Sequence, residues 1–568
     1  MKTVFNPIFQ NRIIRWWTLF LLLNLILFMP RYVWGSSTML TELSERESIY
    51  RFFSFFFRRT SDDPFRISFD LVVVLWVAYF LGKKQLHKVI VFLTGLSFLF
   101  LSYMVYDALF KHLYAFKPIL ANDIVLFKFG FSILWDDSPL LVLTAIPIAG
   151  LVLWLLFQWL RLLVEDFYKC SVYKTKAFLI LTVLCGLSLV HLHISPLIFE
   201  KKKHIPIEEN ATFNLISLSV LRNVTQSIAM QKKINNFSIA ELKRKNEFLD
   251  SLELPQKPNV YIIFLESYGS VLYHEEQVRD AYQSLLIALE KRMNLDELAS
   301  TSIFSTSPVS GGGSWLAYTS MFYGTEIANQ GLYQKLVYDT AFHQVTNLLK
   351  WFRKKDYKTY FLAPKRNGKI APDYQTYGSF YGIDHWITPE VFDHFEGERF
   401  GWSSPPPDQY SLNFSHENFI RAQGPSVLFF LTKNSHSPFK SPIEPAEDWK
   451  TLNNPVTHQK KSYFSDIPEW SDYLQSIKYE MSMLTQFAIE QTQGNDVVLL
   501  VGDHQPPYLT PLALGKETMI HVICRNPDFI EAFGKHGFTP GLLLPAEADT
   551  IHHEDFLWMF VEAIAQTL

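Results

Sequence analysis

Hydrophobic positions follow two regimes along this chain. Up to Leu197 they form long unbroken runs; beyond it they come in short blocks separated by polar and charged stretches. A helix needs about 17–25 predominantly apolar residues to cross a bilayer. Val89–Phe110, Leu140–Leu160 and Ala177–Leu197 meet that length, a first run is centred on Trp16–Met29, and a shorter one covers Ser68–Leu81. The pattern therefore predicts about five spans. Ile119–Trp135 carries Asp123, Lys128 and paired aromatics, and reads as an interfacial helix. Arg12 and Arg15 precede the first run, but Pro30-Arg31 and Val33-Trp34-Gly35 make a poor cleavage site, so an uncleaved anchor is expected. Lys83, Lys84, Lys88, Arg161, Lys169, Lys174 and Lys176 favour an inside N-terminus, while Arg46, Arg51, Arg58, Arg59 and Arg66 weigh against it.

Residues 200–258 are polar and mostly helical in pattern, and read as a connector at the membrane surface, closed by Pro255 and Pro258. From Asn259 to Leu568 strand-like and helix-like blocks alternate. Val260–Leu265, Thr359–Ala363, Val427–Thr432, Val497–Gly502 and His521–Cys524 are the candidate strands; Leu332–Phe352 and Tyr473–Gln491 are amphipathic. That alternation predicts an α/β domain with a mostly parallel central sheet. The expected organisation is a transmembrane domain over 1–199, the connector over 200–258 and a catalytic domain over 259–568.

Composition narrows the function without choosing it. Aromatic residues reach 16%, with 49 Phe, which fits the membrane half. A net charge of -3 gives no bulk electrostatic case for nucleic-acid binding. Cys170, Cys185 and Cys524 are too few and too scattered for a disulfide framework or a Cys-rich zinc site.

Candidate chemistry gathers at the ends of apolar runs. Glu266 follows Val260–Leu265, and Asp503-His504 follows Val497–Gly502. In a parallel sheet, ligands bind outside the carboxyl ends of the strands. Ser314 closes Gly311-Gly-Gly-Ser314 and stands at or near the N-cap of a helix running to Tyr323, where amide donors and the helix dipole favour an anion. A carboxylate, an Asp-His pair and a hydroxyl suit one divalent ion, Mn, Mg or Zn, which would make Ser314 a nucleophile. Taken singly, each residue could equally cap a turn or a helix. His436 ends another apolar run and is placed to protonate a leaving oxygen or bind a phosphate oxygen. His521 is a further metal or phosphate candidate, and Lys365 and Arg366 could contact the acidic group of a substrate.

These residues, in this order, resemble the alkaline phosphatase/sulfatase superfamily. The resemblance is to its membrane-anchored branch of lipoteichoic acid synthases, phosphoglycerol transferases and lipid A phosphoethanolamine transferases. It covers both halves of the chain. Phe264-Leu-Glu-Ser267 matches the metal-binding carboxylate, Ser314 the helix-opening nucleophile, Gly502-Asp503-His504 the later ligand pair and Ser435-His436-Ser-Pro-Phe439 the substrate-binding histidine. His521-Val522 is similar to a later His-Val-Pro element, with Ile523 in place of the proline. Hydrolytic sulfatases instead carry Cys/Ser-x-Pro-Ser-Arg, and Leu316, Ala317 and Tyr318 depart from it, so a formylglycine mechanism is not expected.

The resemblance implies a multi-pass protein of the bacterial inner membrane with an extracytoplasmic sulfatase-like domain. Such an enzyme uses one divalent metal, manganese among the options. It would move a phosphoglycerol- or phosphoethanolamine-type group from a membrane phospholipid to an envelope glycan, lipid or protein acceptor through phospho-Ser314, with no nucleic-acid partner. A phosphodiester or sulfate ester hydrolase with the same site is one alternative, and an inactive membrane scaffold or sensor is another.

Overall fold

The computed structural model describes residues 11–34, 66–114, 117–124, 135, 139–199, 213–363, 373–400, 404–456, 468–511 and 514–568. The chain divides into two compact units, Met1–His112 with Lys117–Lys232, and Leu113–Phe116 with Lys233–Leu568.

The first unit is built from apolar helices. Arg12–Trp34, Lys83–Tyr114 and Leu143–Lys169 are each long and apolar enough to cross a membrane. Phe69–Leu81 and Lys176–Ser188, where the second and fifth spans were expected, are shorter apolar helices. Trp16, Phe20, Leu23 and Leu27 recur at helical spacing and are buried, so one face of the first helix packs inward. Charges near the apolar segments are paired: Arg15 donates from Nε and NH2 to the two Asp166 oxygens at 2.7 Å. Such forked pairs offset part of the cost of removing the ions from water. Of the expected interfacial helix, 125–134 lies outside the described residues; Asp123 at its start is buried and accepts from Tyr106 Oη and the Ile119 amide.

The second unit is built on one nine-stranded sheet. Its strands are β1 (Val260–Leu265), β2 (Ala299–Thr306), β3 (Lys358–Leu362), β4 (His385–Ile387), β5 (Ser426–Leu431), β6 (Val497–Gly502), β7 (Glu517–Cys524), β8 (Thr539–Pro540) and β9 (Thr550–His552). The spatial order is β8-β2-β7-β6-β1-β5-β3-β4, with β9 beside β2. The block β6-β1-β5-β3-β4 is parallel throughout, while β7 runs antiparallel to both of its neighbours. Every residue of β1, β5 and β6 is buried, as expected for parallel strands covered on both faces. Tyr261, Ile263 and Leu265 share one face with Leu428, Phe430, Val498 and Leu500. Helices Arg279–Leu295 and Trp470–Gln491 cover that face with Tyr282, Leu286, Met293, Ile477, Leu484 and Phe487. On the other face Phe264 and Phe429 meet Phe322 edge-on at 6.1 and 5.0 Å.

Two features go beyond the sequence pattern. The amphipathic stretch Leu332–Phe352 is not one helix but Gln330–Val337, a short turn at Phe342–Gln344 and Leu348–Lys354. Asn347 causes the second break: its side chain accepts from the Lys350 amide and starts a new helix. The Ser/Thr-rich strand β2 was not anticipated, because its Ser302 and Ser305 hydroxyls are satisfied inside the fold rather than by water.

Candidate metal and nucleophile site

Strand register brings the first two site residues together. In the parallel β1–β6 pair Leu265 stands opposite Gly502, so Glu266 and Asp503 leave the sheet side by side. Gly502 is needed at that point, since a Cβ there would lie 2.0 Å from the Tyr268 carbonyl oxygen. Just after Glu266 the chain turns sharply: Ser267 has φ 62, a left-handed conformation uncommon outside glycine. The Ser267 amide donates to Asp503 Oδ1 at 2.8 Å and the His504 amide donates to the same oxygen at 2.7 Å. Asp503 Oδ1 is thus fully used, and Oδ2 is left without a hydrogen-bond partner.

His504 is oriented from its other side. Its Nδ1 lies 2.8 Å from the Gln505 carbonyl oxygen, which can only accept, so Nδ1 carries the proton. Nε2 then directs a lone pair toward Glu266 Oε1 at 3.2 Å and Asp503 Oδ2 at 3.4 Å. All three residues are buried, and their ligand atoms lie within 4.8 Å of one another. Three lone-pair donors facing each other in a dry pocket repel unless protons or a cation stand between them. The orphaned Asp503 Oδ2 and His504 Nε2, with a hard carboxylate beside them, fit a divalent cation. Without one, burial and the neighbouring Glu266 charge push the Asp503 carboxyl up toward neutrality. Burial opposes ionisation of Glu266 as well, and of His504 too, but without a cation the two carboxylates raise His504 to about 9. The resulting imidazolium, with its second proton on Nε2, outweighs burial and holds Glu266 low.

Ser314 arrives from the glycine loop. Gly311 and Gly313 have φ 68 and 86, and Gly313 caps the helix Ser314–Tyr323, so Ser314 is the first helical residue rather than the cap. The Gly311 amide donates to the Gln505 carbonyl at 3.1 Å, tying the loop to the segment after His504. The Ser314 hydroxyl donates to Glu266 Oε2 at 3.2 Å. Glu266, Ser314, Asp503 and His504 therefore converge. His436 joins them more loosely: it follows β5, its Nδ1 donates to the Ser437 carbonyl at 2.7 Å, and its charge acts on Glu266.

The other sequence candidates are Lys365, Arg366 and His521. Lys365 and Arg366 lie outside the described residues. His521 sits inside β7, fully buried, with Nδ1 2.6 Å from Ser302 Oγ and Nε2 2.9 Å from Tyr268 Oη. Both of its nitrogens are engaged in the core, away from the converging set. His553 is similar, bonded to Ser305 Oγ and the Gly502 carbonyl, so it braces the strand end before Asp503. Burial lowers the pKa of His521 to about 3 and those of His553 and His416 to about 4. These are neutral histidines in the fold that bind protons once unfolded. Their stabilisation is complete above the unfolded value near 6.5 and is lost as pH falls toward the folded values. Three protons taken up together correspond to about 4 kcal/mol per pH unit. Unfolding midpoints of the whole chain in detergent are expected to drop steeply between pH 6.5 and 4.5; a flat profile there would contradict buried neutral imidazoles.

One residue of the site went unread in the sequence. Lys433 follows Thr432, whose amide donates to the Phe264 carbonyl and whose Oγ1 accepts from the Glu266 amide, both at 3.0 Å. Lys433 therefore leaves β5 beside Glu266, and its ammonium acts on Glu266, Asp408 and Asp503. Its spacing of three before His436, at the end of an apolar run, was the available signal.

No curated protein matches the chain by sequence. Among solved structures, the chain is similar to the lipoteichoic acid synthase LtaP from Listeria monocytogenes, at 15% identity, covering 56% of this chain and 76% of that one, with a TM-score of 0.34. It is similar to the phosphoglycerol transferase GacH from Streptococcus pyogenes, in complex with sn-glycerol-1-phosphate, at 13% identity, 59% and 84% coverage and a TM-score of 0.38. The soluble domain of lipooligosaccharide phosphoethanolamine transferase A from Neisseria meningitidis gives 13% identity, 55% and 90% coverage and a TM-score of 0.35. The Sulfatase family model matches residues 258–527. That stretch opens just before β1 and closes just after β7, and it encloses all four converging side chains. Over these residues the chain carries a domain that matches the Sulfatase family.

Proposed function

We propose that this chain is a membrane enzyme of the bacterial cell envelope. Ser314 takes a phosphoglycerol- or phosphoethanolamine-type group from a phospholipid and passes it to a glycan, lipid or protein acceptor outside the cytoplasm. The observation that carries the reading is the Ser314 hydroxyl, first in its helix and bonded to Glu266, beside the Glu266, Asp503 and His504 ligand atoms. Glu266, Asp503, His504 and Ser314 would hold one divalent ion (Mn, Mg or Zn), which supplies Lewis acidity that lowers the hydroxyl pKa.

The remaining work falls to side chains and backbone. Glu266 accepts the hydroxyl proton as the Ser314 oxygen forms a bond to phosphorus and the bond from phosphorus to the diacylglycerol oxygen breaks. His436 gives that leaving oxygen a proton. The helix N-terminus at Ser314 favours the negative charge on the phosphoryl oxygens. In the second half an acceptor hydroxyl attacks phosphorus, its proton goes to His436, and the Ser314 oxygen leaves with a proton from Glu266. A lipid donor also gives the apolar helices of the first unit a purpose, because enzyme and substrate then diffuse in one plane.

The test is the full chain in liposomes containing phosphatidylglycerol and phosphatidylethanolamine, with manganese and a polyol or glycan acceptor. Diacylglycerol release matched by acceptor modification is the expected result. Release of the free headgroup phosphate with no acceptor product would identify a hydrolase, and no release with any added divalent ion would leave the scaffold reading standing.

A further inference from the structure

Beneath the segment that carries Lys433 and His436 lies a polar cluster that the metal site does not use. Asp408, Asn434, Ser435 and Glu480 all have 0% exposure. Asp408 Oδ2 accepts from the Lys433 amide at 2.5 Å and the Asn434 amide at 2.7 Å, and Asn434 Oδ1 accepts from the Asp408 amide at 2.9 Å. This reciprocal clamp joins the start of helix Asp408–Ser415 to the loop leaving β5. Glu480, on helix Trp470–Gln491, closes the cluster from a third side. Its carboxyl meets that of Asp408. Asp408 Oδ1 and both Glu480 oxygens have no conventional donor as partner. Two buried carboxyl groups can face each other only by sharing a proton, which leaves one negative charge. The Lys433 ammonium interacts with that charge as well as with the Glu266 and Asp503 carboxylates.

We propose that Asp408 and Glu480 share one proton and act together as the positioning pair for the Lys433–His436 segment. They hold the ammonium and the imidazole at the carboxyl edge of β1 and β6, where the transferred phosphate group is bound. The proposal rests on the reading of that edge as the reaction centre. Neither Asp408 nor Glu480 reaches the reactants. Their effect passes through the Lys433 and Asn434 amides, and the net charge of the pair keeps the Lys433 ammonium from collapsing onto Glu266.

A shared proton makes one of the two carboxyls an amide equivalent, which the substitution series exploits. In the full chain with manganese, Glu480→Gln is expected to keep kcat for phosphodiester turnover within about threefold. Glu480→Leu and Asn434→Ala are expected to lower kcat at least tenfold, with bound manganese unchanged. Binding of inorganic phosphate to the manganese-loaded chain should weaken in parallel. Asn434→Ala removes the clamp bond from the Asp408 amide to Asn434 Oδ1 and loosens the start of helix Asp408–Ser415 without stranding a carboxylate, so it remains informative if Glu480→Leu fails to fold. Full kcat and phosphate binding in folded Glu480→Leu or Asn434→Ala would overturn the proposal, as would Glu480→Gln being as damaged as Glu480→Leu. If the unmodified chain itself binds neither manganese nor phosphate, the reading of the reaction centre fails first, and the positioning role falls with it.

Discussion

Replacing Ser314 with alanine is expected to abolish turnover while the chain still binds its cation. The hydroxyl is the only candidate nucleophile among the converging groups; the others are two carboxylates and an imidazole facing one point within 4.8 Å. Removing it takes away the bond-forming atom and one of four ligands, and leaves the three that offer the stronger donors. Loss of a covalent nucleophile costs about 10⁴–10⁶ in kcat in comparable triads. Loss of a neutral hydroxyl ligand should change metal affinity by less than about tenfold, below the effect of an anionic one. The helix should survive, because its cap is Gly313 and alanine is the best helix former at the first position. Two measurements separate the roles. Bound metal per chain should stay near that of the unmodified protein, and phosphorus from a labelled phosphodiester should no longer become attached to the protein. A Ser314→Ala chain that still turns over the phosphodiester would remove the covalent step from the mechanism.

How far this arrangement can be read from residue order depends on how each strand satisfies its side chains. β1, β5 and β6 stand out because parallel strands covered on both faces need unbroken apolar runs, and Val260–Leu265 and Val497–Gly502 have the expected bounds. Once those runs are strands in one parallel sheet, Glu266 and Asp503 must share an edge. The same logic misleads at His521, where an imidazole opening an apolar run looks like a strand-end ligand. Strand β7 in fact starts at Glu517, which moves His521 into the sheet interior with Ser302 and Tyr268 as partners. β2 hides for the matching reason: Ser302 and Ser305 give it a polar composition, and the histidines they bond to are far away in sequence. Lys433 shows only as a charge at the end of an apolar run, and the Asp408–Glu480 pair is invisible to local pattern. A half-buried ammonium and buried carboxyls make sense only through contacts across two helices and a loop.

Converting Asp503 to asparagine should have the second largest effect, and its sign should reverse with the cation. Asparagine keeps Oδ1, so the Ser267 and His504 amides retain their acceptor and the turn at Ser267 is preserved. It replaces Oδ2, the orphaned atom that faces His504 Nε2, with an amide nitrogen that cannot ligate a metal. Affinity should fall more than about 100-fold, beyond the 10–100-fold typical of losing an outer partner, and turnover should fall with it. Without metal the substitution should help. Asp503 and Glu266 are buried carboxylates at one point, and burial first, then that repulsion, raises the Asp503 pKa. A neutral amide removes the repulsion and offers its N–H₂ to Glu266. The chelated Asp503→Asn chain should therefore unfold at a higher temperature than the chelated unmodified chain. Adding manganese at about 100 times its dissociation constant stabilises only the unmodified chain, by about 2.7 kcal/mol, and reverses the order. Thermal scans of both proteins with chelator and with manganese give the four midpoints needed. If manganese raises the Asp503→Asn midpoint as much as it raises that of the unmodified protein, the cation is not bound at these residues.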